Sequence, residues 1–178
     1  QHNSFYNYVN KNFIEGFGLD PKKALFINND EIKLYKGKSY EEVFPDYSID
    51  LSLRFRQAEN KQEEIQQQSI FLIDDWCSRY DDKIKAKGDI GFLVTTLGSD
   101  GRVAFNIKGT SIHSNTALRQ TNFATQADAA SSLGGIEVAK NRLVITIGLE
   151  TITRNPNAVA IVIAAGESNA HIIKNALE

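Results

Sequence analysis

A turn that combines an acid with two glycines is the part of this sequence best suited to chemistry. It reads Gly98-Ser99-Asp100-Gly101 and follows a mainly apolar run over residues 90–96. Such a run predicts a strand that is covered on both faces, and ligands of open α/β sheets bind at the carboxyl ends of these strands. Glycines also let a ligand approach the main chain. The turn is therefore a candidate site, although Asp and Gly are also ordinary turn residues.

Histidine and cysteine provide few other candidates. His113 lies in a polar loop, residues 108–122, that follows the turn, and it is the histidine best placed for binding or acid–base work. The three histidines are dispersed without metal-ligand spacing, and the single cysteine, Cys77, excludes a cysteine-based zinc cluster. No Gly-rich nucleotide motif is present. We therefore expect neither a metal nor a cofactor.

A long helix is predicted over residues 60–87. One face carries its apolar residues, while Asp74-Asp75 and Asp81-Asp82 form two acidic pairs. Because neighbours along a helix point in different directions, neither pair can share a proton or clamp a substrate. We expect both pairs on a solvated face, and we expect the buried face to contain Ile65, Leu72, Trp76, Tyr80 and Ile84.

The remaining pattern alternates strands with helices. Two more buried strands are predicted at residues 143–147 and 158–164, and helices at 125–132, 149–154 and 167–177. Residues 28–57 read as a long loop that packs on the domain through its own side chains: Phe44, Tyr47, Leu51, Leu53 and Phe55. Short connections between apolar strands predict a three-layer αβα arrangement, with a mostly parallel sheet flanked by helices.

Length and composition are those of an ordinary globular protein. The 178 residues fit a single α/β domain over 1–178, and the net charge of -2 gives no case for binding nucleic acid. No apolar run could span a bilayer and no signal-peptide pattern opens the chain, which predicts a soluble, cytoplasmic protein. The absence of Met and the small number of strands lead us to expect an N-terminally truncated part of a larger domain.

Several segments together resemble one family. Residues 100–106 read DGRVAFN, which resembles the D-G-H-I-A-F-N signature of the glucosamine-6-phosphate deaminases (isomerases). Residues 141–149 and 158–178 are similar to later segments of that family, and residues 4–8 fit the helix that follows its catalytic Asp-Glu loop. The resemblance implies a Rossmann-related fold. It also implies the conversion of glucosamine 6-phosphate to fructose 6-phosphate and ammonia, in which a carboxylate moves a proton and a histidine opens the sugar ring.

The resemblance also assigns roles to residues of this chain. It makes Asp100 and Arg102 the catalytic positions, with Arg102 standing where the family has its ring-opening histidine. Asn106 matches the signature, and we expect the substrate to be bound by Gly98, Ser99, Gly101, Asn106 and His113. Several family side chains are replaced. Ile107 stands for an acid, Gln126 and Asn169 stand near the phosphate-binding arginine and lysine, and Glu150 stands for a glycine.

Three functions remain open at this point. The chain could be a deaminase relative with a degenerate active site, or a non-catalytic relative that binds a sugar phosphate or a partner protein. A third reading, a relative of sugar-lactone hydrolases, would need a histidine beside Asp100-Gly101-Arg102, which the sequence lacks. The ligand expected from the resemblance is a sugar phosphate, and because members of the family are often oligomeric, a homo-oligomer is an expectation too.

Overall fold

The computed structural model describes residues 5–46, 48–133, 135–139 and 143–177, in two compact units that divide after Ile32. In the first unit, helix α1 (Phe5–Val9) falls on the segment that resembles a family helix and continues into a π-helical turn (Asn10–Glu15). Short 3₁₀ turns follow at Pro21–Lys23 and Asn29–Glu31. Ser4, which the sequence favours as the N-cap of this helix, lies outside the described residues.

Helix α3 (Lys61–Ala86) is the centre of the second unit and confirms the predicted long helix. Asn60 caps it by accepting hydrogen bonds from the backbone N–H groups of Gln62 and Glu63. The prediction of its buried face was right for Trp76, Tyr80 and Ile84. It was wrong for Leu72, which is exposed, because the buried stripe passes through Ile73 instead. The apolar members of that stripe are Ile70, Ile73, Trp76, Cys77, Tyr80 and Ile84.

The segment from residue 33 to 57 packs onto α3 as predicted. It contains 3₁₀ turns at Tyr35–Gly37 and Leu51–Arg54 and the short helix α2 (Tyr40–Val43). Phe44 and Leu53 are fully buried and Leu51 is half-buried, but Phe55 is almost fully exposed, against prediction. Tyr47 lies outside the described residues. Glutamine amides of α3 satisfy the backbone of this segment, since Gln67 donates to the carbonyl oxygens of Leu53 and Arg56. These bonds let an irregular segment lie against a helix without unpaired carbonyls.

Two pairs of strands are present. Strand β1 (Phe92–Thr96) pairs in parallel with β4 (Val159–Ile163), as the predicted parallel sheet requires. Strand β3 (Leu143–Thr146) instead pairs antiparallel with β2 (Ala117–Gln120). The prediction of a loop throughout residues 108–122 was therefore wrong, because the short, mixed sequence of β2 gives no alternation long enough to indicate a strand.

The predicted burial of β1 and β4 was also wrong. Every residue of β4 is exposed, and β1 alternates between exposed and half-buried side chains. Within the described residues, each of these strands pairs with the other alone, so their outer edges have no neighbour in a sheet. The two strands therefore carry more apolar side chains than the rest of the described structure covers.

Asp81 is the main exception to the predicted solvated face of α3. Its side chain is buried (residue exposure 3 %) and accepts hydrogen bonds from the backbone N–H and the hydroxyl of Thr116 and from the hydroxyl of Thr151. Asp74 also has a partner, because Arg54 donates two hydrogen bonds to its carboxylate. A buried carboxylate needs such donors, and residues distant in sequence provide them here.

The remaining helices follow the strands in chain order. Helix α4 (Phe123–Leu133) confirms the predicted helix over 125–132, and α5 (Ile136–Ala139) follows it. Helix α6 (Leu149–Thr153) comes directly after β3, and α7 (Ala170–Leu177) follows a 3₁₀ turn (Glu167–Asn169). None of the helices in the described part of the chain has the length and hydropathy to cross a membrane.

Candidate functional site

The turn after β1 is held by its own backbone. The N–H of Gly98 donates to the carbonyl oxygen of Arg102 (3.0 Å), and the N–H of Gly101 donates back to Gly98 (2.9 Å). Gly101 has φ of 80°, a conformation that favours glycine. A Cβ at Gly98 would lie 2.5 Å from the Arg102 guanidinium. The absence of a side chain at Gly98 therefore leaves room for the side chain of Arg102. The local sequence therefore folds the Arg102 side chain back over its own turn.

Arg102 is the central charge of the turn. Its guanidinium donates to Asp100 Oδ1 at 2.6 Å and to Asp128 Oδ2 at 2.7 Å, and the side chain is only 11 % exposed. Partial burial opposes the charge, but the hydrogen bonds to Asp128 and Asp100 outweigh it and raise the pKa of Arg102. A guanidinium held in this way stays protonated and cannot act as a general acid–base at neutral pH.

Asp100 is equally constrained. Its second oxygen accepts a hydrogen bond from the side-chain amide of Asn122, at the start of α4. Burial alone would raise the pKa of Asp100, but the hydrogen bonds from Asn122 and Arg102 prevail and lower it. The carboxylate is therefore ionised and already has two partners, which makes it a weak proton acceptor.

Asn122 and Asp128 complete this cluster, and sequence reasoning missed both. Asn122 also caps α4, because its Oδ1 accepts from the backbone N–H of Thr125, and Asp128 additionally accepts a hydrogen bond from Ser99. A cap signal was readable at Asn122, and Asp128 is the one acid within the Ala-rich sequence of α4. Their proximity to Asp100 depends on tertiary packing. We call Ser99, Asp100, Arg102, Asn122 and Asp128 the Arg102 cluster.

Asn106 lies beneath the turn rather than on its surface. It is 4 % exposed, and its amide nitrogen donates to the carbonyl oxygens of Val103 and of Ile147, just beyond β3. The backbone N–H of Phe105 likewise donates to the hydroxyl of Thr146. These contacts tie the DGRVAFN segment to the carboxyl end of β3. Its conformation includes Ala104 at φ of 52°, which is strained for a residue with a Cβ.

His113 belongs to a second group of side chains. Its Nδ1 lies 3.3 Å from Glu150 Oε2, and its ring is largely exposed. Ser114 fixes this junction, because its hydroxyl and carbonyl oxygens accept from the backbone N–H groups of Leu149 and Glu150. Among the described residues, no hydrogen bond joins His113 to the Arg102 cluster. Of the predicted site residues, the structure brings together Gly98, Ser99, Asp100, Gly101 and Arg102, places Asn106 behind them, and gives His113 a different partner.

The described residues offer no cluster of three or more His, Cys, Asp or Glu side chains that could hold a metal ion. The two neutral residues that the resemblance places near phosphate-binding positions make local bonds. Gln126 donates to the backbone and the hydroxyl of Thr121, and Asn169 donates to the carbonyl oxygen of Ala165. The candidate site thus consists of an ion-paired turn in which the one cation, Arg102, is shared by two carboxylates.

Comparison with known proteins finds relatives of one kind. No family model matches the chain. It is 35 % identical over 104 residues to the glucosamine-6-phosphate deaminase of Borreliella burgdorferi (strain ZS7), covering 57 % of this chain and 37 % of that protein. It is 27 % identical over 178 residues to the glucosamine-6-phosphate deaminase of Aliivibrio salmonicida (strain LFI1238), covering 98 % of this chain and 59 % of that protein.

A solved structure of a monomeric glucosamine-6-phosphate deaminase of the NagB superfamily has the same fold. It matches with a TM-score of 0.65 at 20 % identity, over 99 % of this chain and 56 % of that chain. The molecule is therefore an α/β protein of the Rossmann-like class, as predicted. The chain is similar to glucosamine-6-phosphate deaminases, although divergent from them, and it spans less than two thirds of the length of these relatives.

Proposed function

We propose that this chain is a catalytically degenerate deaminase relative, in which the turn that carries the reaction in its relatives has become a structural ion-pair cluster. The observation that carries the proposal is the guanidinium of Arg102, held between Asp100 and Asp128 at the position where the resemblance places the ring-opening histidine. Such a group cannot give and take a proton near neutral pH. Removal of a general acid–base typically lowers turnover by about 10²- to 10⁴-fold.

Phosphate binding is weakened as well. The positions that resemble the family's phosphate cations carry neutral Gln126 and Asn169, whose amides bind nearby backbone. Each lost charge-assisted bond is worth roughly 1.5–3 kcal/mol. Arg102 is a poor replacement, because a phosphate would have to compete with two carboxylates that already hold it. These features favour a non-catalytic relative over an enzyme that deaminates glucosamine 6-phosphate.

The test is ammonia release from glucosamine 6-phosphate by the complete gene product, with the Asp100→Asn variant as the matched control. We expect no release above that of the variant. Release by the wild type that disappears in Asp100→Asn would contradict the proposal and restore a working deaminase. Equal release by both proteins would indicate a contaminating host enzyme, which the subtraction removes.

Sugar-phosphate binding without turnover is the second candidate, and it is suggested by the fold shared with a solved deaminase. Thermal-shift titration with glucosamine 6-phosphate and fructose 6-phosphate measures it, because a ligand that binds the native state raises stability by RT ln(1 + [L]/Kd). If binding uses the turn, Asp128→Asn should change the shift, since it releases one of the two bonds on Arg102. An absence of any shift would leave a protein-interaction role for the molecule.

A further inference from the structure

The dipeptide Asp100-Gly101 has a covalent chemistry of its own. When the backbone nitrogen of the residue after an aspartate attacks the side-chain carboxyl carbon, a five-membered succinimide ring forms. Glycine in that position has no side chain to hinder the approach. Asp100 is the only aspartate in this sequence that is followed by glycine, and no asparagine is followed by glycine. Asp100-Gly101 is therefore the position of this sequence best suited to the reaction.

The fold places the carboxyl group of Asp100 close to the nitrogen that would attack it. Asp100 Oδ1 lies 3.5 Å from the backbone nitrogen of Arg102, so the side chain bends forward over the peptide bond to Gly101, in the manner of an Asx turn. The N–H of Gly101 donates to the carbonyl oxygen of Gly98 at 2.9 Å. The reacting groups are thus neighbours, but the nitrogen must give up this hydrogen bond before it loses its proton.

Two side chains keep the carboxylate in its unreactive form. Arg102 donates to Asp100 Oδ1 at 2.6 Å, and Asn122 donates to Oδ2. Ring closure expels one carboxyl oxygen as water and therefore proceeds from the protonated acid, whereas both donors favour the ionised carboxylate. The side chain must also turn to bring its carboxyl carbon onto the nitrogen, and this rotation breaks both bonds. Each bond therefore opposes the reaction through charge and through geometry.

We propose that Asp100-Gly101 is a latent isoaspartate site, and that Arg102 and Asn122 keep it unreacted in the native fold. In the reaction the Gly101 nitrogen forms a bond to Asp100 Cγ, while its proton and a carboxyl hydroxyl leave as water. The ring then takes up one water. Opening at Cγ restores aspartate, and opening at the main-chain carbonyl gives isoaspartate with no net change in mass and no oxidant or reductant. The new main chain is one carbon longer, so the turn cannot close as before.

The test compares the folded and the unfolded forms of the complete gene product at neutral pH. Isoaspartate is measured by labelled methyl transfer from S-adenosylmethionine with protein isoaspartyl methyltransferase, and peptide mass spectrometry assigns it to the fragment that contains residues 98–102. We expect the folded wild type to react at least about tenfold more slowly than the same protein in guanidinium chloride, because the loss of one hydrogen bond to a charged group corresponds to about that factor.

Variants identify the bonds responsible. Asn122→Ser removes the amide donor to Asp100 but keeps a residue type that caps helices, and it should raise the rate of the folded protein about tenfold or more. Arg102→Gln, which removes the other donor, should act in the same direction. Asp128→Asn is the matched control, because it takes a carboxylate from Arg102 and leaves both bonds to Asp100 in place; its rate should stay close to that of the wild type. Circular dichroism verifies that each variant is folded.

The unfolded state separates local chemistry from the effect of the fold. In guanidinium chloride the wild type, Asn122→Ser and Asp128→Asn should react equally, since both replaced residues are distant from the dipeptide in sequence. Equal rates in the folded and unfolded wild type, or no isoaspartate in either, would overturn the inference. Equal acceleration by folded Asn122→Ser and Asp128→Asn would overturn it too, because general loosening would then explain the rate. The measurement needs no substrate, so it and the ammonia assay can fail separately.

Discussion

The buried carboxylate of Asp81 should be one of the largest single polar contributions to the stability of this molecule. It accepts from Thr116 N at 2.9 Å, from Thr116 Oγ1 at 2.6 Å and from Thr151 Oγ1 at 3.1 Å. These bonds connect α3 to the residue before β2 and to α6. Asp81→Asn keeps the size of the side chain but replaces one acceptor oxygen with a donor that faces other donors. A buried donor or acceptor without a partner is costly to the folded state.

The magnitude follows from the bonds lost. A hydrogen bond to a charged group is worth about 1.5–3 kcal/mol, and Asp81→Asn removes one or two, so the free energy of unfolding should fall by about 1.5–6 kcal/mol. In a protein of this length, that loss lowers Tm by roughly 3–24 °C, at about 2–4 °C per kcal/mol. Chemical denaturation followed by circular dichroism measures it.

Asp82→Asn is the matched control. Asp82 is the next residue on the same helix, its side chain is 72 % exposed, and its nearest cation, Lys85, lies 3.9 Å away. Its replacement should change stability by less than about 0.5 kcal/mol. A double-mutant cycle sharpens the test, because Thr151→Val should cost about 1.5–3 kcal/mol in the wild type and much less beside Asp81→Asn. Equal stabilities of Asp81→Asn and Asp82→Asn would refute the reasoning.

Three further predictions concern packing, titration and reactivity. Gly148→Ala should destabilise the fold by about 1–3 kcal/mol in denaturant titrations, because a Cβ would overlap the carbonyl oxygen of Ser114; Gly91→Ala, which meets no atom within 4 Å, is its control. The lowered pKa of Asp100 contributes stability above its unfolded value of about 4. This contribution is lost as pH falls through the folded pKa, so the stability gap between the wild type and Asp100→Asn should shrink below about pH 4, and a gap constant with pH would count against it. Burial raises the pKa of Cys77 to about 12, so this thiol should react with Ellman's reagent only on unfolding; rapid reaction of the native protein would contradict that.

Local signals predicted the elements that are long or strongly capped. The helix over 61–86 has an N-cap and a consistent apolar stripe, and the parallel pairing of β1 with β4 followed from their apolar runs. The burial of β1 and β4 was harder to predict. An apolar sequence shows that a strand has side chains suited to burial, but it does not show which other element covers them. The same composition that indicated a buried β4 now identifies an exposed surface.

Contacts between distant residues explain the other differences. Nothing near Asp81 in sequence distinguishes it from Asp82, since its donors Thr116 and Thr151 are 35 and 70 residues away. The pairing of β2 with β3 also depends on residues that are far apart, and β2 has only four residues. The turn from Gly98 to Gly101 was readable as a candidate site, but its partners from α4 were not, because helix packing alone brings them to the turn.

Arg102, which the resemblance places at the position of a histidine, shows why the surrounding contacts matter more than the motif. From sequence alone, an arginine beside Asp100 fits either a phosphate-binding cation or a structural one. A phosphate-binding cation should keep donors directed at open space, whereas Arg102 is mostly buried and donates to both Asp100 and Asp128. Asp128→Asn separates the alternatives, because a structural cation loses stability when one carboxylate is removed, while a binding cation gains affinity for anions. The geometry favours the first result, and with it a turn whose charges stabilise the fold.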